Sequence, residues 1–347
     1  MMMEIFLPET DDLSRQLNSQ ANNLLQRLKS LDVDALKLPY YCQEYFKSSH
    51  STRLFFSIQT SARLLYRACQ FCEKKPADIC IMDYGAGVGT LYLLAGMSGF
   101  QKVIYNDHLE DWKLSAEKIA TAIGISIDEY IVGDIDITLK NIKEKNISLD
   151  LIVSRNVLEH IYKPGNFFAS IRKYFPHCVV FSSTTANAAN PAAVFKHQRW
   201  HSKWEKEFLK QRMKIILDRI TGMDEQEAGE LAKTTRGLAM EDLDRAIEDY
   251  RVSRKLPELN ITGSNTCDPA NGVWFENLLP FNEWRQIIST AGFNPSFQPG
   301  FWDTHYKASW KNLMGRLLNN MSDINPAVAM TTAPFIYIIA KPVSHHE

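Results

Sequence analysis

The sequence predicts a doubly wound α/β domain, a mostly parallel sheet with helices on both faces, carrying a helical segment in front and a helical insertion late in the chain. Three observations predict it. Short apolar runs alternate with helical patterns from about residue 79 to residue 183. The first run ends in a glycine-rich turn, and the alternation resumes near the C-terminus after a long charged helical stretch. Short, continuously apolar strands separated by helices belong to parallel sheets covered on both sides.

The elements follow in order. Leu13, Leu17, Leu24, Leu25, Leu28 and Leu31 recur at helical spacing, and Thr52 to Cys72 is apolar on more than one face. Residues 1–75 are therefore expected to form an N-terminal helical cap. The composition changes at Lys74, Lys75 and Pro76, and residues 76–190 carry the alternation. Its candidate strands are Ile79 to Tyr84, Lys102 to Asn106, Glu129 to Val132, Leu149 to Ser154 and Cys178 to Ser183. Helical stretches fall near Leu91 to Ser98, Trp112 to Ile123 and Gly165 to Tyr174. Residues 191–274 break the rhythm with three charged helical patterns, roughly Trp200 to Ile220, Asp224 to Lys233 and Met240 to Arg254. Residues 275–347 return to it: Phe281 to Ala291 reads as a helix stopped by Gly292, Asn294 to Phe301 as a strand, and Pro334 to Ala340 as a buried strand.

Bulk properties bound the function. A chain of 347 residues with 45% hydrophobic and 23% charged residues has the composition of a globular protein. Its net charge of -1 provides no global basic field of the kind that binds nucleic acid or an anionic membrane. A small-molecule partner is expected, with no nucleic acid and no membrane. Met1 to Thr10 lacks the basic and apolar regions of a secretion signal, so a cytoplasmic location is expected. The six scattered cysteines form no disulfide framework, and the Cys69-x-x-Cys72 pair inside a helical pattern reads as buried and reduced.

The most specific signal is Asp83-Tyr84-Gly85-Ala86-Gly87-Val88-Gly89-Thr90, directly after an apolar strand and directly before a helix. Glycines permit the tight turn and let a ligand approach the backbone, while the helix start offers free N–H groups. Asp107, at the end of the second strand, can accept both hydroxyls of an adenosine ribose. The third strand ends in Gly133-Asp134-Ile135, and the fourth leads into Ser154-Arg155-Asn156-Val157-Leu158-Glu159-His160. In the dinucleotide fingerprint the third glycine lies five positions after the first; here Gly89 lies four after Gly85. No GK[ST] follows, which disfavours a nucleoside triphosphate.

These residues resemble the class I S-adenosylmethionine-dependent methyltransferases, and Asn156-Val157-Leu158-Glu159-His160 resembles the branch containing ubiquinone-biosynthesis and sugar or natural-product methyltransferases. The resemblance covers roughly Pro76 to Pro191 well and the segment from Leu279 onward loosely. It implies a Rossmann-like, seven-stranded sheet ending in an antiparallel strand. By that similarity Asp83, Gly85, Ala86 and Gly87 line the methionine and ribose, and Asp107 holds the ribose hydroxyls. Asp134 and Ile135 flank the adenine, and Arg155 and Asn156 lie beside the sulfonium. Metal-using relatives place a glutamate where Asn156 stands, so no metal is expected at Glu159 and His160.

The implied reaction is methyl transfer from S-adenosylmethionine to a small molecule, most readily an oxygen of a sugar, aromatic or natural-product acceptor. A hydroxyl acceptor must lose a proton, and His160, His197 and His201 are the candidate bases. Their alternative is orientation of a loop for His160 and solvated helix positions for His197 and His201. Phe195 to Trp204, Asn265 to Glu276 and Trp302 to Tyr306 are candidate walls or loops of the acceptor pocket. The position after the fourth strand lacks the [DNS]PP[YF] turn of amino-methylating nucleic-acid enzymes. Two other readings stay open, a nicotinamide-dependent oxidoreductase and a methyltransferase-like binding protein without catalysis.

Overall fold

The computed structural model describes residues 4–50 and 52–343. Seven strands form one sheet: β1 (Cys80–Tyr84), β2 (Lys102–Asp107), β3 (Glu129–Val132), β4 (Leu151–Arg155), β5 (Val179–Thr184), β6 (Phe293–Pro299) and β7 (Ile336–Pro342). Their spatial order is β3-β2-β1-β4-β5-β7-β6. The first five pair in parallel, while β7 runs antiparallel to both β5 and β6. Each expected strand is present, with no end displaced by more than two residues. Lys102, for example, pairs with Cys80, and Ile81 with both Val103 and Leu151.

Thirteen helices surround the sheet among the described residues. The cap contains α1 (Asp12–Lys29), α2 (Tyr40–Tyr45) and α3 (Leu54–Cys72). The core adds α4 (Leu91–Met97), α5 (Glu110–Ala122), α6 (Ile135–Glu144) and α7 (Pro164–Tyr174). The insertion consists of α8 (Pro191–Arg219), α9 (Glu225–Thr234) and α10 (Met240–Ser253). After it come α11 (Phe281–Thr290), α12 (Ser309–Ile324) and α13 (Pro326–Thr332). No helix among the described residues is long and apolar enough to cross a membrane.

The strands divide their side chains by the period of two. Ile81, Val103, Tyr105, Val153, Phe181 and Ile339 join the leucines of α1 and α3 in one core. Met82, Ile104, Ile131, Ile152, Val180 and Ile338 join Leu139 of α6, Phe168 of α7 and Trp284 of α11 in the other. The cap is thus the helical layer on one face of the sheet, packed as core rather than appended. The insertion builds its own small core from Ile216, Leu231, Leu243 and Ile247. Cys69 is buried and Cys72 half-buried, and burial pushes both thiols up to about 12.

Outside the cap three helices went unanticipated, α6, α12 and α13. Asp134 caps α6, its carboxylate accepting the Ile137 N–H at 2.9 Å, and Ile135, Leu139 and Ile142 form the buried stripe. The loop around Trp302 to Tyr306 is a correction, since it does not reach the cavity described below. It packs on the start of α3 instead, where Arg53 pairs with Asp303 at 2.9 Å and Phe55 stacks 3.8 Å from the His305 ring.

Candidate functional site

The strand order reverses at β1, whose neighbours are β2 on one side and β4 on the other. Open α/β sheets bind ligands at such a switch point, outside the carboxyl ends of the strands. A cavity of about 530 Å³ lies there, within the usual range for small-molecule sites. Its floor is the turn from β1 to α4, and its flanks are the ends of β2, β3 and β4.

The turn has the backbone that its glycines permit. Gly85 and Gly87 hold φ of 67° and 51°, in the left-handed region. A β-carbon on Gly85 would stand 2.7 Å from Val157 Cγ2, so bare backbone is required there. Asp107 clasps the turn from the next strand: the Gly87 N–H donates to its Oδ2 at 2.9 Å, and the His108 N–H to its Oδ1 at 2.7 Å. The carboxylate is 4% exposed and borders the cavity. The Leu109 N–H at 3.3 Å and His108 Nδ1 at 3.1 Å also fall on Oδ1, so the acceptor position left for a ligand's hydroxyl is on Oδ2.

Asp83, the penultimate residue of β1, accepts the Tyr92 N–H at 2.9 Å. Burial pushes its carboxyl up to about 8, against the pull of the Arg155 guanidinium. Arg155 leaves the end of β4 to donate to Ser57 O at 2.9 Å, Ser61 Oγ at 2.8 Å and Thr90 Oγ1 at 3.1 Å. It therefore joins the cap helix α3 to the floor of the site. Asn156, next to it, takes φ of 55° while its N–H donates to Ser183 O. Asparagine is among the residues that tolerate this conformation.

The opposite wall comes from the chain after β4 and from the end of the insertion. Asn271, Gly272 and Val273 face the cavity with His160, Ile161 and Tyr162. The two segments are stitched together: the Trp274 N–H donates to His160 O at 3.2 Å, the Asn277 N–H to Glu159 O at 3.0 Å, and the Trp274 indole to Tyr162 O at 3.0 Å. His160 Nδ1 lies 2.8 Å from Trp274 O. A carbonyl only accepts, so Nδ1 carries the proton and Nε2 keeps a lone pair. Glu159 is wholly buried, and burial pushes its carboxyl up to about 7.

Of the residues expected from sequence, Asp83, Gly85, Ala86, Gly87, Asp107, Asp134, Arg155, Asn156 and His160 line this one cavity. Ile135, His197 and His201 do not. Ile135 points into the core beneath α6. His197 and His201 are buried, which corrects the reading of them as solvated helix positions. His201 holds Ser264 Oγ at 2.8 Å and Glu276 O at 3.1 Å, and burial lowers its basicity. His197 Nε2 donates to Thr185 O at 3.3 Å. The Phe195 to Trp204 cluster likewise faces the insertion's closing loop, with Trp204 and Phe275 rings 5.1 Å apart, rather than the cavity.

Sequence reasoning missed the aromatic residues Tyr45, Trp112 and Tyr162. Tyr45 reaches the cavity from α2 with its ring 5.2 Å from that of Trp112. Tyr45 pairs with Trp112 and Tyr162 with Trp274, far apart in sequence, so no local pattern announces them.

The sheet order and the single reversed strand decide the architecture. It is a Rossmann-like, mostly parallel seven-stranded sheet with one reversed strand. No family model matches the chain, and no curated protein does. Among solved structures, the chain is similar to an S-adenosylmethionine-dependent methyltransferase from Archaeoglobus fulgidus at 13% identity, covering 87% of this chain and 100% of that one, with a TM-score of 0.40. It is similar to the plantazolicin methyltransferase BpumL at 12% identity, covering 96% and 100%, with a TM-score of 0.40. It is also similar to magnesium protoporphyrin IX methyltransferase from Synechocystis at 9% identity, covering 86% and 97%, with a TM-score of 0.38. These likenesses are loose, and the chemistry of the site rests on its own geometry.

Proposed function

We propose that this protein is an S-adenosylmethionine-dependent methyltransferase acting on a small molecule, most readily at an oxygen of a sugar, aromatic or natural-product acceptor. One observation carries the reading: the bare Gly85–Gly87 backbone and the Asp107 carboxylate border the same cavity as a histidine with a free Nε2 lone pair. The glycine floor fits a ligand lying against the main chain, because a β-carbon at Gly87 would meet nothing nearer than Trp112 at 4.0 Å and the space beside that backbone is open.

In this reading Asp83, Gly85, Ala86 and Gly87 hold the amino-acid and ribose portions of the cofactor, and Asp107 accepts from a hydroxyl of its sugar. Asp134, which borders the cavity at the end of β3, lies beside the adenine. When bound, S-adenosylmethionine supplies a methyl group activated by its positive sulfur. The protein contributes alignment and exclusion of water. Tyr45 and Trp112 enclose the cavity on the cap side, while Asn271 to Val273 and Tyr162 form the wall against which an acceptor is placed. In this reading His160 serves as the base that takes a proton from an acceptor hydroxyl.

Calorimetric titration of the purified chain with S-adenosylhomocysteine and, separately, with NAD tests the reading. The adenosyl amino acid is expected to bind and NAD not to. Binding of NAD alone would replace this reading with that of an oxidoreductase.

A further inference from the structure

We infer that α12 docks this protein onto the surface of an anionic phospholipid bilayer, through an apolar face that the fold holds outward. At 3.6 residues per turn Trp310, Leu313, Met314, Leu317 and Met321 fall in one stripe about 100° wide. A stripe of that kind ordinarily faces a core. Here all five residues are 48% to 66% exposed, and the opposite side of the helix meets the protein.

The contacts on that inner side are polar and directional. Asn312 accepts the Tyr306 N–H at 2.7 Å and donates to Tyr306 O at 2.8 Å. Asn319, two turns on, does the same for Trp302, accepting at 2.7 Å and donating at 3.0 Å. Between them Gly315 lies so close to the Asp303 carbonyl that a β-carbon would collide with its oxygen. A polar ridge of Asn312, Gly315 and Asn319 thus fastens the helix to residues 302–306. A helix free to roll would turn its leucines and methionines inward, and the two asparagine clasps prevent it.

Charge selects what covers the face. Residues 304–322 carry Lys307, Lys311 and Arg316 and no acidic residue, although the whole sequence has a net charge of -1. All three cations are exposed, and by helical position Lys311 and Arg316 lie on the two edges of the stripe. Lys29 of α1 lines the same depression as Lys307 and Lys311 at the start of the helix, so the cap adds to the positive field. The carboxylate in that depression, Asp303, is taken by Arg53 at 2.9 Å. A second copy of the chain is a poor partner, because a twofold interface lays a patch on its own image and would set these cations against themselves. An anionic lipid surface accepts both features: the basic heads reach the phosphates, while their stems and the apolar side chains enter the boundary of the acyl chains. Trp310, beside Lys311 in the first turn, is a residue type enriched at that depth. Docking of this kind does not depend on methyl transfer.

The full chain is sedimented with vesicles of phosphatidylcholine alone and of phosphatidylcholine carrying about 30% phosphatidylglycerol. Binding to the mixed vesicles is expected, weakened by added salt and lowered about tenfold or more in the double variants Leu313→Gln/Leu317→Gln and Lys311→Gln/Arg316→Gln. A blue shift of tryptophan emission on binding is expected and should be lost in Trp310→Phe. The exchanged side chains are exposed, so urea midpoints equal to the parent's report that the variants are folded. No binding to either vesicle, equal binding to both, or parental binding in either double variant overturns the proposal. A dimer in sedimentation equilibrium that Leu313→Gln/Leu317→Gln dissociates would overturn it in favour of an interface between copies. Capture of a synthetic acidic amphipathic peptide without capture of vesicles would overturn it in favour of a protein partner.

Discussion

Replacing Gly85 by alanine tests whether the floor of the cavity is built as described, and the structure divides the cost into two parts. At φ of 67° an alanine incurs about 1–2 kcal/mol of left-handed backbone strain. Its β-carbon also meets Val157 Cγ2 at 2.7 Å and Cγ1 at 2.9 Å, an overlap of the kind that costs about 1–3 kcal/mol. The total is about 2–5 kcal/mol by the same two principles. Val157→Ala removes both clashing methyl groups and leaves only a Cβ at 3.4 Å, so in that background Gly85→Ala should cost only the strain. Urea denaturation of the parent, both single variants and the double variant gives the coupling directly, expected at about 1–3 kcal/mol. Equal costs for Gly85→Ala in both backgrounds would refute the contact, and a cost within a few tenths of a kcal/mol would refute the backbone assignment as well.

Three further outcomes are expected. Asp107→Ala should weaken adenosylhomocysteine binding by about 2–4 kcal/mol, roughly 30- to 1000-fold, through loss of charge-assisted hydrogen bonds and of the clasp on Gly87; unchanged affinity in calorimetry would remove Asp107 from the site. Arg155→Met should lower unfolding free energy by about 3 kcal/mol, since Ser57 O, Ser61 Oγ and Thr90 Oγ1 lose their shared donor; a denaturation midpoint equal to the parent's would contradict the link between cap and floor. Burial depresses His201 below its ordinary value near 6.5, so its stabilising contribution is intact above that pH and is lost as pH falls through the folded-state value. The stability gap between the parent and His201→Gln should therefore narrow below about pH 6.5, and parallel stability curves would show that the ring does not titrate as described.

Much of this architecture is legible from local pattern because a parallel sheet writes its strands as short apolar runs. Glu129 to Val132 matches β3 residue for residue, and the glycine turn and Asp107 fall in the cavity as their spacing implies. α6 stayed hidden because Gly133-Asp134-Ile135 was given a ligand role, although Asp134 also caps the helix and Ile135, Leu139 and Ile142 mark its stripe. Three of its ten residues are aspartate, threonine or asparagine at interior positions, which dilutes the helical signal. α12 was hidden differently. Leu313, Met314, Leu317 and Met321 follow a helical period but stay about half exposed, so periodicity there does not mark a buried face. The histidines show the limit of single-residue inference: His160, His197 and His201 are alike in sequence, and only the fold separates the one beside the cavity from two sealed within the insertion's base.

The stitching of Trp274 and Asn277 onto the strip from Glu159 to Tyr162 sets a boundary for anyone wishing to exchange the insertion between chains of this shape. A graft of α8 to α10 that stopped short of this seam would carry the bulk of the module but leave behind the peptide that aims the His160 ring. The exchangeable cassette therefore runs through residue 277, and the recipient must offer a matching edge after its fourth strand.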